Sequence, residues 1–232
     1  VLEVDAVSQA ARIQGGIYGP AIEDALRDTP FTMRHYMQAY RCSTLGGWIA
    51  TRSGGHYATL YTHIDDFVES TRVVTPEGTL ETRRLPGSGA GPSPDRMFIG
   101  SEGILGIITE AWVRLRKKPT FRASASVRFP DFHAGADAVR DITQAGLYPA
   151  NCRLLEAREA LPGIPWSNEE AVLVLAFESP DHPLDAWMRR ALEICAAHGG
   201  VADQSDADEN AHRSGAAGAW RNKFIRAPHY SE

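Results

Sequence analysis

Pro119 separates two stretches of this chain whose hydrophobic rhythms differ, and no single layer of structure satisfies both. After it, apolar periodicity alternates between the strand and helix repeats. Residues 125–129 read as a strand, 133–145 as a helix, 151–156 and 171–177 as strands, 184–197 as a helix, with a last strand beyond Gly200. The order β-α-β, β-α-β predicts an antiparallel α+β sandwich of the ferredoxin-like kind.

Before Pro119 the elements are shorter and punctuated by glycine. Residues 1–5 and 10–14 read as neighbouring strands, so the sequence begins inside a sheet and reads as an internal piece of a longer protein. Pro20 suits the first turn of a helix whose Ile22, Ala25 and Leu26 fall on one face. Residues 71–75 and 79–83 flank the turn Pro76-Glu77-Gly78 and predict a hairpin, and 88–94 reads as a loop that caps a short helix at Ser93-Pro94. Residues 107–118 predict one strand, with Val113 and Leu115 on one side and Arg114 and Arg116 on the other. These readings divide the chain at 1–119 and 120–232.

The net charge of −5 excludes the broad basic face that nucleic acid or an anionic membrane requires, so any phosphate recognition is local. No apolar run approaches the ~20 residues of a spanning helix. Cys42, Cys152 and Cys195 lie far apart and fit no metal or disulfide spacing; they read as buried or half-buried thiols. The eight histidines are scattered and read as surface or packing residues, with no metal expected, and the acidic run at 203–209 reads as a solvated loop.

Three stretches combine glycine with small hydroxyl residues: Ser43-Thr44-Leu45-Gly46-Gly47-Trp48, Thr51-Arg52-Ser53-Gly54-Gly55, and the run from Gly100-Ser101-Glu102-Gly103 to Ile108. Without a Cβ the backbone can approach an anion, and hydroxyls and unpaired N–H groups can donate to it. Taken singly, each stretch reads equally as a tight turn packing strand on helix. None is a P-loop, and none spells the G-x-G-x-x-G that opens a dinucleotide-binding helix after a strand.

Together, in this order and spacing, the wording from Ser43 to Gly54, the segment from Ile64-Asp65-Asp66 to Pro76-Glu77-Gly78 read as a hairpin, and Gly100 to Glu110 resembles the FAD-linked oxidases of the vanillyl-alcohol-oxidase type. Within them it is most similar to the alkyldihydroxyacetonephosphate synthases and their bacterial relatives, from about Val1 to Leu155. The resemblance implies the second subdomain of a PCMH/VAO-type FAD-binding domain, followed by part of a ferredoxin-like α+β cap domain. It implies FAD as cofactor, lined by Gln38, Ser43, Thr44, Gly46, Gly47, Thr51, Arg52, Ser53, Gly54, Glu102, Gly103, Ile104, Leu105, Gly106, Ile107 and Ile108. By the same match, Arg153 falls where these enzymes hold an arginine for an anionic substrate, a phosphate or carboxylate that a guanidinium can fork. The plain alternatives are that Arg153 is a surface arginine at a strand end and that Arg52 braces Asp65. A homodimer is the candidate assembly.

The chain departs from the family pattern at Ile104, where threonine is usual, at Met37-Gln38-Ala39, and at Thr62, where the family places glycine. The expected activity is exchange of an acyl for an alkyl chain on a glycerone phosphate. The alternatives are oxidation of a D-2-hydroxy acid and, from another class, a non-catalytic binding module that keeps vestigial flavin loops.

Overall fold

The computed structural model describes residues 1–85, 91–156 and 170–202. The chain forms two compact units, Val1–Lys118 and Pro119–Glu232. The acidic run at 203–209 and residues 88–90 of the expected 88–94 loop lie outside the described residues.

The first unit contains β1 (Glu3–Asp5), β2 (Ala10–Gln14), α1 (Gly19–Ala25), β3 (Phe31–Thr32), α2 (Leu45–Ala50), α3 (Ala58–Tyr61), α4 (Ile64–Phe67), β4 (Val68–Thr75), β5 (Gly78–Glu81), α5 (Asp95–Phe98), β6 (Ile107–Arg114) and β7 (Arg116–Lys117). A five-stranded antiparallel sheet runs β1-β2-β6-β4-β5. One face carries Ala11, Ile13, Val73, Ala111 and Val113, all buried. Against β2 and β6 packs α2, whose Leu45, Trp48 and Ile49 are buried in turn. The other face is polar. Arg12 and Arg72 both reach Glu110, and Arg84 lies 4.1 Å above the Trp112 ring while pairing with Asp5 and Glu69.

Four expectations are corrected in this unit. Strand 107–118 breaks at Leu115, whose N–H donates to Gln9 O, so β6 joins the large sheet and β7 pairs with β3 instead. Residues 64–66 form a helical turn leading into β4 rather than a hairpin arm. Ala25 of α1 is exposed; Ile22 and Leu26, one turn apart, carry the burial. Cys42 is exposed as well, its thiol donating to Ala39 O at 3.4 Å.

The second unit contains β8 (Phe121–Phe129), α6 (Phe132–Gln144), β9 (Asn151–Glu156), β10 (Ala171–Ser179), α7 (Asp185–Ala197) and β11 (Val201–Ala202). The sheet order is β11-β8-β10-β9, antiparallel throughout, which is the ferredoxin-like arrangement the sequence predicts. Asp131 caps α6 by accepting from Ala134 N at 2.8 Å. Ala138 and Ile142 of α6, with Ala191 and Ile194 of α7, close on Val127, Phe129, Leu173, Leu175 and Phe177. Cys195 belongs to this core and Cys152 packs against it. Burial pushes the Cys152 thiol up to about 11 and the Cys195 thiol up to about 12, so both stay protonated and unreactive near neutral pH.

Candidate functional site

The glycine-hydroxyl stretches meet around α2. Thr44 caps this helix, accepting from Gly47 N at 3.4 Å. Gly46 N donates to Gly15 O at 2.7 Å, and a Cβ built on Gly46 would lie 3.0 Å from Ile108 O and 3.1 Å from Gly15 O. A side chain at Gly46 would force the helix or the sheet backbone to give by a few tenths of an ångström. At the other end of α2, Gly100 N donates to Ile49 O at 3.0 Å and Glu102 N to Ala50 O at 2.9 Å. The stretches around 43–54 and 100–108 are thus hydrogen-bonded to each other, although 56 residues separate Thr44 from Gly100 in sequence.

Arg52 fastens the junction. Its guanidinium donates to Asp65 Oδ2 at 2.7 Å, and Arg96 donates to the same oxygen at 3.1 Å. Burial alone raises the carboxyl pKa of Asp65, but the hydrogen bond from Arg52 and the two positive charges outweigh it and hold the group below the ordinary carboxylate range. Of the two readings open for Arg52 in the sequence, the geometry shows the brace to Asp65. Its side-chain carbons also lie across Gly100, where an added Cβ would meet Cδ at 2.5 Å.

The hydroxyls divide by what they already bond. Ser43 donates to Ala39 O at 2.6 Å and accepts from the Trp48 indole at 2.7 Å, so it ties the Gln38 turn to α2. Thr51 donates back to Gly47 O at 3.0 Å. Thr44 and Ser53 use their oxygens within the fold and stay partly exposed. Ser101, next to the residues singled out in the third stretch, buries an Oγ with no hydrogen-bond partner. Gln38, Gly47, Gly54, Glu102 and Gly103 are exposed; so are Ile104, Leu105 and Ile107, whereas Ile108 is buried and Gly106 half-buried. Nothing stands within 4 Å of a Cβ built on Gly103, so the main chain is open there.

His35 is the residue that sequence reasoning passed over. It is 2% exposed, between Trp48 and Phe67 at ring separations of 5.6 and 5.4 Å, and its Nε2 lies 3.0 Å from Ser53 Oγ. Burial pushes its pKa down to about 4, so the ring is neutral at physiological pH. Glu23 of α1 sets its approach by accepting from Thr32 Oγ1, at 2.8 and 2.9 Å, and from Met33 N at 3.0 Å. The aromatic density of the 35–48 segment was the available signal. Arg153 lies on β9 of the second unit, opposite Val174.

Residues 1–83 match the family model described as FAD binding domain, and residues 118–231 match FAD linked oxidases, C-terminal domain. The chain belongs to the FAD-linked oxidases. This FAD-linked oxidase chain is 38% identical over 166 residues to the alkyldihydroxyacetonephosphate synthase of Dictyostelium discoideum, an overlap of 72% of the chain and 27% of that protein. It is 29% identical over 214 residues to a glycolate oxidase subunit of Bacillus subtilis (strain 168), which covers 88% of the chain and 45% of the relative. A solved structure of alkyldihydroxyacetonephosphate synthase superposes with a TM-score of 0.78 at 30% identity, covering 87% of this chain and 40% of the other. The chain therefore spans less than half the length of these proteins.

The residues present fit FAD. An unpartnered buried hydroxyl at Ser101, open main chain at Gly103 and the exposed apolar Ile104, Leu105 and Ile107 offer, in one segment, polar groups and apolar side chains for a ring system. Among the described residues, no group of three or more His, Cys, Asp or Glu side chains is placed to hold a metal ion, and no helix is long and apolar enough to cross a membrane.

Proposed function

We propose that this chain forms one wall of the flavin site of an FAD-dependent enzyme that exchanges the acyl chain of a glycerone phosphate for an alkyl chain, releasing a fatty acid. The observation that carries the reading is the hydrogen-bonded junction of the 43–54 and 100–108 stretches around α2, in a chain 38% identical to an alkyldihydroxyacetonephosphate synthase. Bound FAD supplies the reacting centre. The main chain from Glu102 to Gly106, with Thr44, Ser53 and Ser101, holds the cofactor and excludes water from it. The first unit is the flavin-binding part and the second a substrate-covering part, in which Arg153 holds the anionic group of the substrate by a forked contact.

The similarity to a glycolate oxidase subunit over 88% of the chain supports a second reading, oxidation of a D-2-hydroxy acid, with Arg153 on the carboxylate. The two separate cleanly in the full-length protein. Under anaerobic conditions, an acyl glycerone phosphate and a labelled fatty alcohol yield an ether-linked product while the flavin stays oxidised. Bleaching of the flavin by D-lactate or glycolate, without ether formation, establishes the second reading instead. Arg153→Ala raises KM for the anionic substrate and leaves flavin content unchanged.

A further inference from the structure

We propose that Arg116 is an anion-binding residue at the 53–54 end of the flavin wall: seated on the rings of Tyr61 and Phe67, its guanidinium holds a phosphate group of the bound ligand. That the ligand is the flavin or its substrate rests on the reading above; that it is an anion rests on the surroundings of Arg116.

Arg116 is a half-buried charge without a counterion among the described residues. It lies on β7 opposite Thr32 of β3, with its guanidinium carbon 5.6 Å from the centre of the Phe67 ring and 6.0 Å from that of Tyr61, both buried. Its side chain forms no hydrogen bond or ion pair with any described residue. Nε is buried and unpartnered, while the two terminal nitrogens stay open to solvent. Arg52, Arg84, Arg96 and Arg114 of the same unit behave differently, each reaching a carboxylate within 3.4 Å.

The carboxylates joined to its neighbours are already engaged. Glu23 accepts from Thr32 Oγ1 and Met33 N, and Glu69 lies between Arg84 and Arg114. The charge that does act on Arg116 is that of Arg114, which repels it and, after burial, pushes its pKa down. A guanidinium nevertheless keeps its proton, so the positive charge stands partly desolvated and uncompensated. The aromatic rings stabilise the cation but leave its terminal N–H groups for a forked contact with two oxygens of one anion.

The seat of Arg116 adjoins the proposed cofactor wall. Phe67 also packs against His35, whose Nε2 lies 3.0 Å from Ser53 Oγ, and His63, two residues beyond Tyr61, bridges to Gly54. In the flavin reading a phosphate comes from either of two molecules, the diphosphate of FAD or the glycerone phosphate substrate.

The test uses the full-length protein and Arg116→Met, which keeps an apolar side chain against the rings and removes the charge. Because an unpaired half-buried cation stabilises nothing, the ligand-free variant melts no lower than the parent. A lower midpoint marks a structural partner elsewhere in the full-length chain and overturns the proposal. Inorganic phosphate, titrated at constant ionic strength into the ligand-free protein, raises the melting midpoint of the parent but not of the variant. Equal shifts, or none in the parent, overturn the proposal. Two further measurements identify the source. If FAD supplies the phosphate, Arg116→Met raises the dissociation constant for FAD about tenfold and leaves that for riboflavin, which has no phosphate, within about twofold. If the substrate supplies it, FAD affinity holds and KM for the acyl glycerone phosphate rises about tenfold at unchanged kcat. FAD affinity and KM both within about twofold of the parent overturn the proposal. Should the parent protein retain no FAD, the flavin reading fails, and the phosphate titration alone decides whether Arg116 is an anion site.

Discussion

Arg52 lies 2.7 Å from Asp65, and through this contact a residue at the end of α2 is tied to the first turn of α4. Asp65 is the acceptor for Arg96 also, so one largely buried carboxylate holds two arginines that are each more than half exposed.

Asp65→Ala removes the anchor of both arginines at once and lowers stability by about 1–2 kcal/mol, whereas Arg52→Ala, which leaves Arg96 in place, costs under about 1 kcal/mol. Urea unfolding of the two variants checks the order. Because the Asp65 carboxyl is held below its ordinary range, its contribution is present above the unfolded carboxylate pKa and fades as pH falls through the lower folded value.

Gly100 has φ +81°, and the Arg52 side chain passes over it. Gly100→Ala puts a left-handed strain of about 1–2 kcal/mol on the backbone and pushes Arg52 off Asp65. The expected signature is non-additivity: with Arg52→Ala already present, Gly100→Ala costs measurably less than it does alone, in the same unfolding assay.

Thr62 occupies φ +67°, ψ −167°, a region that favours glycine, and its buried hydroxyl has no hydrogen-bond partner. The glycine that the resemblance implies at this position would adopt this backbone freely, whereas the threonine of this chain bears the strain. Thr62→Gly raises stability by about 1 kcal/mol or more, read as an upward shift of the melting midpoint. An unchanged or lower midpoint contradicts the assignment of strain.

Stability also falls on mild acidification through His35. Its ordinary pKa of 6.5 is pushed down to about 4 by burial, with the charge of His63 adding to the effect. Between these values the unfolded chain takes up a proton that the folded one refuses, so unfolding becomes easier as pH drops from 6.5 toward 4 and levels off below. The loss is up to about 3 kcal/mol. Chemical denaturation at pH 7 and pH 4.5 shows it, and His35→Phe loses that component of the pH dependence.

The second unit was legible in the sequence almost element by element. Its helices are long enough to show a 3.6-residue repeat, its elements are bounded by Pro130, Gly146 and Gly200, and burial of Leu173, Leu175 and Phe177 follows from the continuous apolar run that also buries Val172 and Val174. In the first unit the hairpin and the edge strands were equally visible, because turn chemistry is local. The short turns α2, α3 and α4 were not, being four to six residues long and shorter than the period that would reveal them.

By itself, then, the sequence determined the type and order of the long elements and the wording of three glycine-hydroxyl stretches, since both depend on neighbours within a few residues. Only the tertiary structure decided that Gly46 lies against Ile108, that Arg52 is pledged to Asp65 and that Ser43 and Thr51 spend their hydroxyls internally. Those outcomes turn on which backbone groups meet across long separations, and hydrogen bonds of that kind leave no period in the chain. His35 shows the limit most plainly. A histidine becomes a fixed, neutral core residue only when Trp48 and Phe67 remove it from water, and nothing at position 35 announces where residues 48 and 67 will be.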